Sequence, residues 1–430
     1  MFSTATFRKL SVAGFGVCVA LAGTLGEARA DVVTDWNGIL LDAVRAEKSV
    51  PPHASRAMAC VNVSIFEAVN GILGLYEPYS LTDPAPPGAS PEAAAAAAAY
   101  QSLSQLFPAQ RKVFDAALKA SLSAIPEGPS KEAGIAWGLK VADAIIALRA
   151  DDGATREVNP RYPSGAGWWT PTPPDFASGL LPNWAGVKPW AMANGSQFRP
   201  PPPPALGSAD YLKAFSEVAR LGRIDSPSRS KEQSQIALFW ADGSGTSTPP
   251  GHWLLVALRL ASQRNLTLHE SSRLFALLSM AMADAAIVSW DSKYHYDHWR
   301  PVTGIRHAEL EGNGGTRASP PWVPFIATPP FPSYTSGHST FSGSASRILE
   351  LFFGTDAVLF SLVSEGLPGV ERFFASFSQA AEEAGQSRIY GGIHWQYDNQ
   401  AGLASGRALG DHVFHSRLRP RSPTAPGRRP

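Results

Sequence analysis

Apolar residues recur at helical spacing along most of the chain, and this pattern predicts an all-α protein. The first helical region, residues 34–74, is interrupted at Pro51-Pro52. Ser90-Pro91-Glu92 forms an N-cap and first-turn signature before a run of seven alanines. The helical pattern resumes near Ser208. No segment as long as a strand shows the alternation of apolar and polar residues that would predict one. Further helices are predicted over residues 108–125, 129–149, 265–290, 337–353, 368–384 and 399–418.

Residues 151–207 break this pattern. They are rich in proline and tryptophan, with Trp168, Trp169, Trp184, Trp190 and the run Pro200–Pro204. Proline excludes helix here and the aromatics argue against disorder, so we expect an ordered loop that shapes the pocket entrance. The predicted organisation is a signal peptide (1–30), an N-terminal helical region (31–150), the connecting loop (151–207), a catalytic helical bundle (208–416) and a basic, disordered tail (417–430).

The first 30 residues have the composition of a secretory signal peptide. Arg8-Lys9 precedes a short apolar stretch over residues 10–25, and Ala28-Arg29-Ala30 is a small-x-small cleavage site that leaves Asp31 as the new N-terminus. We therefore expect a secreted or periplasmic protein, with a retained membrane anchor as the alternative. No later segment is expected to reach the ~18 apolar residues of a spanning helix. Cleavage leaves Cys60 as the sole cysteine, so no disulfide is expected.

Composition narrows the classes of function. The chain has 430 residues, of which 44% are hydrophobic, so it can bury a sizeable core. A formal net charge of +1 is too small to favour nucleic acid or an acidic membrane surface. The ten histidines occur without the spacing of a divalent-metal motif.

Three short motifs in the last third of the chain carry the candidate chemistry. They are KYHYDHWRP, which spans Lys293 to Pro301, FPSYTSGH, which ends at His338, and SRIYGGIH, which ends at His394. Arginine presents a planar fork of donors to a tetrahedral oxyanion, and lysine adds a compact charge. A serine hydroxyl and a glycine N–H complete such a cage. One imidazole can then attack the central atom while the other transfers a proton.

Each motif alone has an ordinary explanation, since most lysines and arginines are solvated surface charges and most histidines are structural. The conjunction of all three in this order is what indicates a site. A non-catalytic oxyanion-binding protein is one alternative, but binding alone needs no pair of histidines such as His338 and His394.

At these residues the chain resembles the vanadium haloperoxidase and type 2 phosphatidic acid phosphatase superfamily. The family signature is Lys-x6-Arg-Pro, Ser-Gly-His and Ser-Arg-x5-His, and all three parts are present. The resemblance implies a fold of helical bundles and a bound vanadate, whose site phosphate can also occupy. It implies that the oxygens of this anion are bound by Lys293, Arg300, Ser336, Gly337 and Arg388.

The resemblance also implies roles for the histidines and two possible reactions. His394 would be bonded to vanadium, or would attack phosphorus, and His338 would be the acid–base partner at the opposite apex. In a haloperoxidase, Lys293 would polarise hydrogen peroxide, and a halide would be oxidised to hypohalous acid. In a soluble secreted acid phosphatase, a phosphate ester would be hydrolysed through a phosphohistidine. We favour the haloperoxidase, while halide, organic acceptor and oligomeric state stay open.

Flanking residues bear on this choice. Trp290 and Phe331 match aromatics that line the halide pocket in chloroperoxidase-like members, although both could be ordinary core residues. Asp242, in a stretch that family haloperoxidases share, would pair with Arg388 and hold its guanidinium, or else is an exposed loop aspartate.

Overall fold

A computed structural model describes residues 31–421, so the predicted signal peptide and the last nine residues lie outside the described part of the chain. Helices dominate residues 31–421, as the apolar pattern predicts. The α-helices are α1 Val32–Ala46, α2 Pro51–Leu73, α3 Pro91–Leu106, α4 Arg111–Ser123, α5 Pro129–Leu148, α6 Ala209–Leu221, α7 Lys231–Phe239, α8 Thr248–Arg264, α9 Leu268–Tyr296, α10 Pro301–Arg306, α11 Gly337–Phe353, α12 Phe377–Tyr390 and α13 Gln396–Ser416. Short 3₁₀ turns occur at Pro108–Gln110, Trp184–Gly186 and Ala308–Leu310.

The long helix α9 is the centre of the core. Every residue from Ser271 to Lys293 in it is buried, and it packs against α2, α8, α11 and α13. The alanine-rich helix α3 packs against α2 and α5, and the Ser90 side chain caps it by accepting from the Ala93 N–H. The predicted cap is therefore confirmed. A helix buried on all sides can be apolar on all sides. This explains why the sequence of α9 is mostly hydrophobic around the whole helix.

Two helices, α2 and α9, are long and apolar enough to cross a membrane by length and composition. The expectation that no segment after residue 30 reaches this length is therefore wrong. Burial gives the physical reason, because 78% of the apolar window in α2 and 100% of that in α9 lie inside the protein. Both are typical of core helices.

The loop over residues 151–207 is ordered and lies against the helices. Asp284 of α9 is fully buried, and its carboxylate accepts from the backbone N–H groups of Trp190 (2.7 Å), Ala191 (2.8 Å) and Met192 (3.1 Å). Trp190 is itself buried in the core. These contacts satisfy a buried charge and a run of backbone donors together, which fixes the loop on α9.

One predicted helix is wrong in its first part. The apolar pattern predicts a helix over residues 368–384, but the start of that segment contains strand β2 (Glu371–Phe374). β2 forms an antiparallel hairpin with β1 (Phe360–Val363), and the helix begins only at Phe377. Phe360 is paired with Phe374 and both side chains are buried. Strands of four residues are too short for a clear alternation to stand out in the sequence.

Helices α11 and α13 approach closely, and this contact brings two motifs together. A Cβ on Gly406 would lie 2.3 Å from the Thr340 carbonyl oxygen, and one on Gly343 would lie 2.5 Å from that of Leu403. Only glycine admits such backbone contact at these two positions. The start of α13, which follows His394, therefore lies beside the N-terminus of α11.

The end of the described chain departs from the predicted tail. Leu418 is 1% exposed, and the backbone N–H of Arg421 donates to the Leu75 carbonyl at 3.0 Å. Arg419 forms a two-pronged ion pair with Glu77 at 2.8 Å. Residues 417–421 are thus part of the fold, and the prediction of disorder from residue 417 is wrong for them; residues 422–430 lie outside the described residues.

Candidate active site

Residues of the second and third motifs line one cavity of about 310 Å³, and Arg300 of the first motif contacts His394 there at 3.0 Å. Each candidate residue comes from the end of a helix or from a connection. Lys293 lies in the last turn of α9, Arg300 precedes α10, and Arg388 lies in the last turn of α12. The candidates that line the cavity are Asp242, Trp290, Phe331, Gly337, His338, Arg388 and His394, whereas Lys293, Arg300 and Ser336 are fully buried.

A larger cleft lies elsewhere, between α1, α3 and α4, with a volume of about 840 Å³. Its rim carries Asp31, Asp35 and Glu92, and none of the described residues that line it is basic. An acidic cleft repels an oxyanion, so the smaller cavity is the candidate site.

Two arginine side chains at the smaller cavity or beside it have buried N–H groups without a partner within residues 31–421. Arg300 donates from Nε to the Phe331 carbonyl (2.8 Å) and from Nη1 to the Ile393 carbonyl (2.7 Å), but its Nη2 has no partner within residues 31–421. Arg388 donates from Nη1 to the Trp240 carbonyl (2.8 Å), and its Nε has no partner in the same part of the chain. Buried donors are normally paired, so these two guanidinium groups fit an oxyanion ligand.

Ser336 and Gly337 stand at the N-terminus of α11. The Ser336 side chain caps the helix, and the Ser339 hydroxyl lies 2.8 Å from its Oγ. The first backbone N–H groups of a helix carry partial positive charge, and a bound anion would be stabilised there. A Cβ on Gly337 would lie 3.7 Å from its nearest neighbour, the Trp290 ring, so packing itself does not require glycine at this position.

Lys293 is held by the protein itself. Its ammonium group donates to the carbonyl oxygens of Pro332 (2.8 Å), Ser333 (3.0 Å) and Thr335 (2.6 Å). All three N–H bonds are therefore in use. Burial and the neighbouring Arg300 lower the pKa of Lys293, and the Asp398 carboxylate opposes this shift.

Asp398 is a site residue that the sequence analysis missed. Its Oδ2 accepts from His394 Nδ1 at 2.9 Å, from the Trp395 backbone N–H at 3.0 Å and from the Ser333 hydroxyl. Because a carboxylate only accepts, the proton of the neutral ring is on Nδ1, and Nε2 keeps its lone pair. Arg300 Nη1 donates to that Nε2 at 3.0 Å. The spacing of four residues between His394 and Asp398 was the available signal.

His338 has the opposite tautomer. Its Nε2 lies 2.9 Å from the Trp240 carbonyl oxygen, which can only accept, so Nδ1 is the unprotonated nitrogen. Burial lowers the pKa of His338 well below its ordinary value, and the Arg388 charge lowers it further. Burial and the Arg300 charge do the same to the pKa of His394. Both imidazoles are therefore neutral near pH 7 and can accept a proton or bind a metal centre.

The positive charge of the site is strongly desolvated. Burial lowers the pKa of Arg300 to about 9 and that of Arg388 to about 10, while Asp398 and Asp242 respectively oppose these shifts. Burial also raises the pKa of Asp398 to about 6. A multiply charged anion would restore the missing solvation, so the site is electrostatically prepared for one.

An aromatic wall completes the cavity. The ring centroids of Trp290 and Phe331 are 5.0 Å apart, and the Phe331 centroid lies 4.9 Å from both Lys293 Nζ and the Arg300 guanidinium. Trp290 donates from Nε1 to the Leu180 carbonyl at 3.1 Å, so its polar edge is satisfied. Leu180 belongs to the 151–207 loop and also lines the cavity, which means that this loop does shape the pocket.

Asp242 does not form the expected ion pair with Arg388. Its carboxylate lies 3.2 and 3.3 Å from Nδ1 of His252, a buried residue of α8. It remains near enough to Arg388 to oppose the fall in the pKa of that guanidinium. The direct pairing is therefore wrong, and the contribution of Asp242 to Arg388 is a longer-range electrostatic one.

Comparisons with known proteins agree with the geometry. Residues 273–421 match the family model of the VCPO second helical-bundle domain. The vanadium chloroperoxidase of Curvularia inaequalis is 25% identical over an alignment of 498 residues, which covers 87% of this chain and 80% of that protein.

Two solved structures add to this. The crystal structure of the first bacterial vanadium-dependent iodoperoxidase superposes with a TM-score of 0.79 and 31% identity, covering 91% of this chain and 97% of that chain. A holo-type bacterial vanadium-dependent chloroperoxidase has a TM-score of 0.66 at 18% identity over 90% of this chain and 93% of that one, a likeness of fold. The chain, with its three complete motifs around one oxyanion cavity, belongs to the vanadium haloperoxidase family.

Proposed function

We propose that the protein is a vanadate-dependent haloperoxidase that uses hydrogen peroxide to oxidise a halide to hypohalous acid. One observation carries the proposal: the Arg388 guanidinium, two neutral imidazoles and an aromatic wall line one cavity, and the Arg300 guanidinium contacts His394 beside it. Each guanidinium has a buried N–H without a partner within residues 31–421. The 31% identity with a bacterial iodoperoxidase supports it.

The donor set suits vanadate, which when bound would supply Lewis-acid activation of peroxide without a change in its own oxidation state. Arg300 and Arg388 would hold its oxygens through the N–H groups that have no partner within the described residues. His394 would present the lone pair of Nε2, because Asp398 keeps the proton on Nδ1. That nitrogen now accepts from Arg300, so anion binding would exchange one partner for another.

His338 would act as the base and acid. Its Nε2–H is fixed on the Trp240 carbonyl, which leaves Nδ1 to take a proton from peroxide and return it later. Because burial lowers the pKa of His338, the ring is neutral and the lone pair of Nδ1 is available. Lys293 supplies positive charge, and it would polarise peroxide directly only by releasing one of its three carbonyl partners.

The aromatic wall would select the halide. Trp290 and Phe331 present apolar surface to the cavity, so a halide there would be poorly hydrated and more easily oxidised. The ease of oxidation rises from chloride to iodide, and iodide and bromide are therefore the first substrates to test.

The decisive experiment is bromination of a dimedone-type acceptor by the purified protein with peroxide, with and without orthovanadate. The proposal requires turnover that depends on vanadate, and repeating the assay with iodide and chloride would define the halide range. His394→Ala should abolish turnover. Full activity in that variant would contradict the assigned role.

A phosphatase is the second candidate, because the pair of His394 and Asp398 suits that reaction as well. A histidine whose Nδ1–H is held by a carboxylate presents Nε2 as a nucleophile equally well to phosphorus. Hydrolysis of a chromogenic phosphate ester, inhibited by vanadate and without any bromination, would establish this reaction instead.

We also propose that the protein is exported, on the basis of residues 1–30. Sequencing the N-terminus of protein recovered outside the cytoplasm should give Asp31 as the first residue.

A further inference from the structure

The backbone carbonyl of Trp240 holds two groups of the site at once. It accepts from His338 Nε2 at 2.9 Å and from Arg388 Nη1 at 2.8 Å. Trp240 follows the last residue of α7, where helix carbonyls lack intrahelical partners and can accept other donors. The position of this one oxygen therefore determines which nitrogen of His338 is free and where the Arg388 guanidinium lies.

The Trp240 side chain is fixed from the other side by a partly buried ion pair. Its Nε1 donates to Glu383 Oε1 at 3.0 Å, and the indole is 2% exposed. Arg372 binds both oxygens of Glu383, from Nε and Nη2, at 2.7 Å each. The exposed fractions of the Arg372 and Glu383 side chains are only 14% and 17%, so solvent screens this pair weakly.

Arg372 is connected to both ends of α7. It binds Glu232, in the first turn, directly at 2.7 Å. It is connected to Trp240, at the C-terminal end, through Glu383. Phe374 of the same strand packs on the Trp240 ring, with centroids 6.1 Å apart. The hairpin of β1 and β2, which carries none of the three motifs, is thus connected to them through Trp240.

We propose that Arg372 and Glu383 act as a clamp that positions the Trp240 carbonyl and, through it, His338 and Arg388. Both clamp residues are positioning residues, because neither is among the described residues that line the cavity. The inference rests on the proposed function only in so far as His338 and Arg388 serve the reaction; the positioning itself is a property of the fold.

The test compares Glu383→Leu, which removes the acceptor, with Glu383→Gln, which keeps an oxygen for the indole N–H but loses the charge. Glu382→Leu is the matched control, since Glu382 is exposed and lies 3.4 Å from Arg407. We expect Glu383→Leu to lower kcat for halide oxidation about tenfold or more, with a smaller change in the KM for peroxide, because misplacement of a proton-transfer group acts on the chemical step. Glu383→Gln should recover most of the loss, and Glu382→Leu should behave as the wild type.

Two measurements do not depend on turnover. In protein labelled with ¹⁵N-histidine, the wild type should show His338 protonated on Nε2 alone, and Glu383→Leu should show a mixture of tautomers. Calorimetry with inorganic phosphate should show weaker binding, about tenfold, in Glu383→Leu. If the wild type lacks haloperoxidase activity, these two results still decide whether the clamp exists.

A double-mutant comparison separates the clamp from general destabilisation. Trp240→Phe removes the indole N–H but keeps the carbonyl, so its effect on kcat and phosphate affinity should not add to that of Glu383→Leu. Additive effects, or a Glu383→Leu protein with unchanged tautomer and phosphate affinity, would overturn the proposal. If Glu383→Leu does not fold, Trp240→Phe alone tests the clamp, because it removes the same contact from the other side. It should lower kcat and phosphate affinity, and wild-type values of both would overturn the proposal.

Discussion

Replacing Asp398 by alanine tests how the protein controls Nε2 of His394, the proposed ligand of vanadium. The substitution leaves three donors without their acceptor: His394 Nδ1–H, the Trp395 N–H and the Ser333 hydroxyl. The ring then loses its fixed tautomer and orientation. Loss of such a partner behind a metal-binding histidine typically costs about 10- to 100-fold in affinity, or about 1.4 to 2.7 kcal/mol.

Removing a carboxylate also removes negative charge near the anion, and this favours binding of any oxyanion. The two effects have opposite signs, so a single affinity would be ambiguous. Phosphate is a tetrahedral oxyanion like vanadate, and under the proposed function only vanadate would be bonded to the His394 lone pair. The ratio of the phosphate to the vanadate dissociation constant therefore isolates the orientation of His394 from the charge.

Isothermal titration of the ligand-free protein with each anion gives this ratio. We expect it to fall about 10- to 100-fold in Asp398→Ala. The ratio should fall less in Asp398→Asn, because the amide oxygen can accept from the same three donors. Asp411→Ala is the control, since Asp411 lies on the same helix and pairs with Arg347. An unchanged ratio in a folded Asp398→Ala protein would refute the proposed role of Asp398.

Three further predictions follow from particular contacts. Phe331→His should alter halide preference or rate while vanadate affinity is kept, and identical kinetics with every halide would exclude Phe331 from the halide site. Burial raises the pKa of Asp297 from 3.8 to about 6, so the protonated carboxyl favours the folded state. The stability gained from protonation is complete below about pH 4 and is lost as the pH rises through 6. Asp297→Asn should therefore raise the free energy of unfolding at pH 7 by about 1 kcal/mol, after allowance for solvent screening of this partly exposed group, and flatten its dependence between pH 4 and 6 in chemical denaturation. Gly392→Ala should lower the free energy of unfolding by about 2 to 4 kcal/mol, because φ is +79° and a Cβ would lie 2.2 Å from the Gly222 carbonyl oxygen. Gly186→Ala is the control: a Cβ there would have open space around it, so the unfolding midpoint should change little.

Much of the fold could be predicted because local rules and tertiary context agree. The predicted helix over residues 337–353 matches α11, since Ser336 is a good N-cap and the helix buries a continuous apolar face. The membership of the three motifs in one site was also predictable, because their residue types and order are specific to the family.

Other features depend on contacts between distant residues. The hairpin at Phe360–Val363 and Glu371–Phe374 is stable because its aromatic residues pack on neighbouring helices, and local propensity did not favour it. Asp242 is bound to His252 and not to Arg388, a choice between two nearby basic partners that spacing does not resolve. Asp398 escaped prediction because an aspartate in a helix is ordinarily a surface charge.

Side-chain chemistry and short-range periodicity are properties of neighbouring residues. They were enough to predict the helical class, the ordered proline-rich loop and a set of groups suited to an oxyanion. The tautomers of His338 and His394, the three carbonyl partners of Lys293 and the spare N–H groups of Arg300 and Arg388 became known only from the folded arrangement. Each of these depends on which backbone oxygen or carboxylate a distant segment places within about 3 Å, because hydrogen bonds are short and directional.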